Sequence, residues 1–146
     1  MRKINEAGLR LVKESEGLKL EKYQDVAGKW TIGYGHLIKK GEAFDGPITE
    51  QRATELLERD LQLAESAVDE LVSVSLNENQ YSALVDFVYN VGKANFAAST
   101  MLKRLNSGKY SAAAGEFLKW VYAGGRRIDG LARRRAAERT LFLTEP

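Results

Sequence analysis

The longest helical pattern in the chain constrains its fold most. From Thr49 to about Val72, Ala53, Leu57, Leu61, Ala64, Val68 and Leu71 recur at spacings of three and four, which makes one buried stripe on an α-helix. Thr49 stands where an N-cap belongs. A helix of that length crosses most of a small domain. The text on either side of it differs in kind. Leu18 to about Lys39 is strand-like, broken by a turn at Asp25-Val26-Ala27-Gly28, and a Gly/Pro-rich loop from Lys40 to Pro47 follows. After the long helix, the patterns are helical. Asn77 and Gln80 make a capping-box-like start, with Tyr81, Leu84, Val85 and Val88 as a buried face. Ser99 or Thr100 opens a short helix that ends at Asn106-Ser107-Gly108, Tyr110 to Trp120 reads as another, and Gly124-Gly125 precedes a last one over about Leu131–Leu143. At the front, Asn5 caps a helix carrying Leu9, Leu11 and Val12, and Glu16-Gly17 ends it.

The expected fold class is α+β, with a small strand-containing lobe and a larger helical lobe joined by the long helix. At 146 residues the chain is long enough for one domain with a real core. The boundaries are a strand lobe over about 17–48, a connecting helix over about 49–72, and a helical lobe over about 73–146 that includes the N-terminal helix. One histidine and no cysteine exclude a disulfide framework and a thiol nucleophile and argue against a zinc site, so neither metal nor cofactor is expected. The start, MRKINEAGLRLVKESEG, is too charged for a signal peptide, and no apolar run is long enough to span a membrane. A formal charge of +2 suits an anionic surface but is too small to imply a polyanion partner.

The chemistry concentrates between Glu16 and His36, in EGLKLEKYQDVAGKWTIGYGH. Glu16 lies at the negative pole of its helix, which disfavours the anion and favours the protonated form a general acid needs. Asp25 lies in a wetter turn, where a carboxylate stays ionised. Two carboxyls pushed in opposite directions by their surroundings suggest an acid and a base. Along Trp30–Gly35 the side chains alternate. Trp30, Ile32 and Tyr34 form a bulky face for the core, while Thr31, Gly33 and Gly35 form a nearly bare one that a ligand can approach. Asp25 and Thr31 then hold a water between them. Taken singly, these are also an ordinary surface glutamate, a turn aspartate and a β-branched strand residue.

With TIGYGH running into His36, this stretch resembles the catalytic segment of the phage-type lysozymes, the muramidase endolysins of glycoside hydrolase family 24. Pro47-Ile48-Thr49, LNENQYSALVDFVYNVG from Leu76 to Gly92, and GLARRRAAERTLFL from Gly130 to Leu143 resemble the same family, in the same order. The resemblance implies a lysozyme-like fold and a cleft for peptidoglycan. It implies hydrolysis of the β-1,4 bond between N-acetylmuramic acid and N-acetylglucosamine, with inversion. Glu16 is then the general acid, and Asp25 and Thr31 position the attacking water. Gly33, Gly35, Asn90 and Gly92 are the expected substrate-binding residues, with Arg134 as the arginine that reaches back to the acid site. His36 is expected to pair structurally with Asp60 on the long helix, and Glu138 with neighbouring arginines. The other arginines, Arg126, Arg127, Arg133, Arg135 and Arg139, read as a solvated face; no aromatics interleave with them, which argues against nucleic acid. Phe96 and Trp120 read as core aromatics.

The resemblance further implies a monomer without stable membrane insertion, waiting in the host bacterial cytoplasm until it is released to the wall at lysis. Two other readings stay open at this point. A lytic transglycosylase cleaves the same bond with a lone glutamate, and a wall-binding module does not turn over at all.

Overall fold

The computed structural model describes residues 2–146, which form two compact units. One is Lys13–Gln62 and contains the strands; the other combines the N-terminal residues up to Val12 with Leu63–Pro146 and is helical.

The strand unit begins with the last turn of α1 (Glu6–Glu16), closed by Gly17 at φ +74°, whose N–H donates to the Lys13 carbonyl. A three-stranded antiparallel sheet follows in the order β1 (Lys19–Gln24), β2 (Trp30–Gly33), β3 (His36–Leu37). Gln24 pairs with Trp30 and Tyr23 with Thr31, but the register then slips to Lys19 opposite Gly33, so β1 carries a bulge. α2 (Glu50–Leu71) starts where expected, with Thr49 Oγ1 accepting from Arg52 N at 3.1 Å. Its N-terminal half buries Ala53, Leu56, Leu57 and Leu61, and Ile32 and Tyr34 are buried in the same unit.

The two faces of β2 depart from the alternation expected of them. Trp30 is not a core residue: it is 49 % exposed, with the Lys22 ammonium 5.3 Å from its ring centroid. Thr31, expected on a bare face, is 3 % exposed, and Gly33 is buried as well. A Cβ on Gly33 would stand 3.3 Å from Ala53 Cβ. The small-residue face of β2 is thus the one on which the long helix packs, and it corrects the placement of Gly33 on an open substrate face.

In the helical unit α3 (Glu78–Val91) is buried on every side from Tyr81 to Val88, more fully than a single apolar stripe implies. Its start is the capping box read from the sequence: Asn77 Oδ1 accepts from Gln80 N at 2.8 Å and Gln80 Oε1 from Asn77 N at 2.9 Å. Phe87 meets Phe96, Phe117 and Trp120 edge to face at centroid distances of 6.2, 5.4 and 5.5 Å. α4 (Lys93–Ala97), α5 (Thr100–Asn106) and α6 (Tyr110–Glu116) precede a 3₁₀ turn at Phe117–Lys119. A two-residue-per-strand hairpin, β4 (Tyr122–Ala123) and β5 (Arg126–Arg127), occupies the break before α7 (Asp129–Leu143), which packs against α3.

The start of the chain is stitched to this unit. Ile4 N donates to the buried Glu65 carboxylate at 2.7 Å and Asn5 N to Ser82 Oγ at 2.8 Å. Asn5 Oδ1 caps α1 through Gly8 N at 2.9 Å. Gly8 has no alternative: a Cβ there would lie 2.6 Å from Ser82 Cβ.

Candidate active site

All three expected catalytic residues fall in the strand unit. Glu16 is the final residue of α1 and half-buried. Gly35 lies directly against it: a Cβ on Gly35, at φ +78°, would stand 2.9 Å from Glu16 Oε1. Glycine at 35 therefore satisfies two demands at once, a left-handed backbone in the β2–β3 turn and space for the carboxyl group.

Asp25 builds the turn in which it sits. Its Oδ1 accepts from Ala27 N and Lys29 N, both at 2.9 Å, while its own carbonyl accepts from Gly28 N at 2.8 Å. Lys29 connects this residue to the next strand. The Lys29 N–H donates to Asp25, and its carbonyl accepts from Asp25 N at 2.8 Å and from Thr31 Oγ1 at 3.1 Å. One peptide unit on either side of a single residue thus ties Asp25 and Thr31 together. The Thr31 hydroxyl spends its proton on that carbonyl, so towards a further group its oxygen is an acceptor. The sequence pointed to Asp25 and Thr31 but not to Lys29, because a main-chain bridge leaves no side-chain signature.

Around these residues the unit is braced by side-chain pairs. The Tyr34 hydroxyl lies 3.5 Å from Glu50 Oε1 and the Lys13 ammonium 5.4 Å from the Tyr34 ring centroid. Burial, and then the Glu50 charge, push the Tyr34 phenol above its ordinary value. His36 Nδ1 meets Asp60 Oδ2 at 2.7 Å, the structural pair expected from the sequence. A second acid, unforeseen, takes the other nitrogen: Glu42 Oε1 lies 3.0 Å from His36 Nε2. Glu42 also accepts from Lys39 N at 2.7 Å; that bond first, and His36 after it, hold its carboxyl below the usual range. The signal available in the sequence was a lone acid in the Lys39-Lys40-Gly41-Glu42 loop after the histidine.

The remaining expected residues belong to the helical unit. Asn90 is exposed near the end of α3, and Gly92 ends that helix at φ +95°, its N–H donating to Val88 O at 2.8 Å. Arg134 and Arg135 are buried, which corrects the solvated reading of Arg135. Arg134 forks onto Asp86 through NH2 at 2.6 Å and Nε at 3.1 Å, and Arg135 Nε meets Glu138 Oε1 at 2.6 Å. Burial, together with a hydrogen bond to Asp86, pushes the Glu138 carboxyl well above the ordinary range despite the two arginines. Asp86 was missed because its partners lie 48 residues away in sequence.

Among the described residues, no group of His, Cys, Asp or Glu is arranged to hold a metal ion, and no helix is long and apolar enough to cross a membrane.

Comparison with known proteins adds the following. Residues 13–138 match the family described as phage lysozyme. An endolysin of Salmonella phage P22 is 44% identical over 147 aligned residues, covering 99% of this chain and 100% of its own length. An endolysin of Bacillus phage B103 is 43% identical over 97% of this chain, which spans only 54% of that relative's length. The crystal structure of a P22 lysozyme mutant superposes with a TM-score of 0.90, covering 99% of this chain and 100% of that one at 44% identity.

Proposed function

The chain belongs to the phage lysozyme family and is a glycoside hydrolase, a muramidase that hydrolyses peptidoglycan, and on that premise we propose how its own residues divide the work. Glu16 protonates the glycosidic oxygen as the bond between N-acetylmuramic acid and N-acetylglucosamine breaks. Asp25 and Thr31 hold the attacking water. The observation that carries this is the Lys29 bridge: the Asp25 carboxylate accepts from Lys29 N and the Thr31 hydroxyl donates to the Lys29 carbonyl, which leaves both side chains as acceptors towards a water. A water donating one proton to each of them is left with its lone pairs facing outward, as a nucleophile requires. Asp25 Oδ1 is occupied by the turn, so Oδ2 is the atom that takes the proton. Attack by a water held apart from the proton donor gives inversion at the anomeric carbon.

Gly35 makes room for the acid; Asn90 and Gly92 contact glycan, and Arg134 serves the acid site, on the strength of the family resemblance. The whole chain acts as one lysozyme domain and as a monomer, with no nucleic-acid partner, and waits in the host cytoplasm until it reaches the wall at lysis.

Digestion of purified cell wall followed by mass spectrometry tests the chemistry. Hydrolysis adds one water to each product; anhydro-sugar products would reassign the chain to transglycosylation and leave Asp25 and Thr31 without a role. Glu16→Gln should lower turnover by about 10²–10⁴-fold with unchanged thermal stability.

A further inference from the structure

The turn that carries Asp25 contains one peptide group gripped from both ends. The Gly28 carbonyl and the Lys29 N–H belong to the same peptide plane. Its N–H donates to Asp25 Oδ1 at 2.9 Å, and its carbonyl accepts from Gln24 Nε2 at 3.3 Å. An amide oxygen cannot face a carbonyl oxygen, so the nitrogen end of the Gln24 side chain is the one placed there. Gln24 is the last residue of β1, and its pairing with Trp30 sets the root of its side chain beside the turn.

Packing does not hold this peptide. Gly28 stands at φ +80°, and a Cβ built on it would meet nothing within 4 Å. Glycine on the N-terminal side also leaves the plane easy to turn over. Turned over, it would set its carbonyl oxygen against the Asp25 carboxylate and withdraw one of the two N–H groups that occupy Oδ1. The next peptide is placed differently, because the Lys29 carbonyl is held by Asp25 N and by Thr31 Oγ1.

We infer that Gln24 is a positioning residue for the hydrolysis: acting through the Gly28–Lys29 peptide, its amide keeps Oδ1 of Asp25 occupied and Oδ2 turned to the attacking water. The inference rests on the assignment of Asp25 as a residue that holds that water. A donor on the carbonyl polarises the peptide and makes its N–H the stronger donor, so the grip on the carboxylate tightens along the series Gln24, Gly28–Lys29, Asp25. Gln24 and Gly28 are both exposed, and an exposed neutral hydrogen bond adds little to folding. Its effect falls instead on the aim of one carboxylate, where a small misplacement slows the reaction.

The test uses Gln24→Met, which keeps the length and removes the donor, and Gln24→Lys, which restores one. Turnover on dispersed cell wall is read beside hydrogen exchange of the Lys29 amide, followed by NMR. Gln24→Met should lower kcat about fivefold, the net effect of one neutral hydrogen bond, with KM and melting temperature unchanged. The Lys29 amide should exchange faster by a similar factor, and Gln24→Lys should recover both. A Lys29 amide that keeps its wild-type exchange rate in Gln24→Met would overturn the inference, as would a loss carried by KM or a loss of kcat that Gln24→Lys fails to recover. Asp25→Ala separates the two levels. If it loses turnover while Gln24→Met keeps the wild-type kcat, the positioning role falls and the water-holding role of Asp25 stands. If Asp25→Ala turns over as fast as the wild type, the water-holding role falls and the role of Gln24 falls with it.

Discussion

In the helical unit Asp86 and Glu138 are fully buried and faced by Arg134 and Arg135, whereas in the strand unit Asp25 and Glu42 stand partly exposed and are held by main-chain N–H groups. Glu116 follows the first pattern, buried with Arg104 at 3.2 Å and Lys119 at 2.7 Å. The contrast separates two uses of a carboxylate. An acid sealed among arginines has its geometry and its counter-charge already supplied, so it can only hold helices in place. Asp25, positioned by the backbone through Oδ1, keeps Oδ2 for something that is not protein, whereas both oxygens of Glu42 face His36. On this reading the buried acids of α3 and α7 are architecture, while the acids proposed for the chemistry, Glu16 at the end of α1 and Asp25 in the β1–β2 turn, belong to the strand unit.

The most direct way to break the contrast is to remove one member of the sealed cluster. Arg135→Met should cost about 3–5 kcal/mol in denaturant unfolding, because Glu138 is left buried without its partner; a loss below about 1 kcal/mol would show that the cluster is not structural. Gly35→Ala attacks the other unit. The new Cβ meets the Glu16 carboxyl and the residue is held at positive φ, so a cost of about 1–3 kcal/mol should come with reduced turnover. Loss of stability with full activity would detach Gly35 from the acid.

Titration sharpens the comparison further, because the two kinds of acid shift in opposite directions. Glu138 is raised in the folded state, so its favourable contribution is complete below its unfolded value, about 4.3, and declines as pH rises from there towards the folded one. Glu138→Gln should therefore gain on the wild type as pH rises through that window. Glu42 is lowered, so its contribution is present above its unfolded value and is lost as pH falls through the folded one. Glu42→Gln should cost less than about 1 kcal/mol at neutral pH and nothing in acid, as parallel melts of the two proteins would show.

Legibility in the sequence followed the range of the interactions. Asn5, Thr49, Asn77 with Gln80, and Ser99 all cap the helices assigned to them, since a cap is settled within three or four residues. His36 with Asp60 was expected through the family resemblance, and the structure makes that pair at 2.7 Å. Trp30 and Thr31 were misplaced for a tertiary reason: a strand of four residues next to a bulge has no face of its own until the helix packing on it is known. The burial of Arg135 was invisible from its neighbours for the same reason. The hairpin at Tyr122–Arg127 left no trace beyond its two glycines, because strands of two residues are too short to alternate.

The turn at Asp25 carries a final consequence. Surface hairpins of this kind ordinarily absorb insertions and exchange of residues, but here the side chain that closes the loop is also the one we propose for holding the solvent nucleophile. Under that proposal, lengthening the segment between Gln24 and Trp30 by even one residue would re-aim loop closure and water binding together, a coupling that an ordinary exposed loop does not carry.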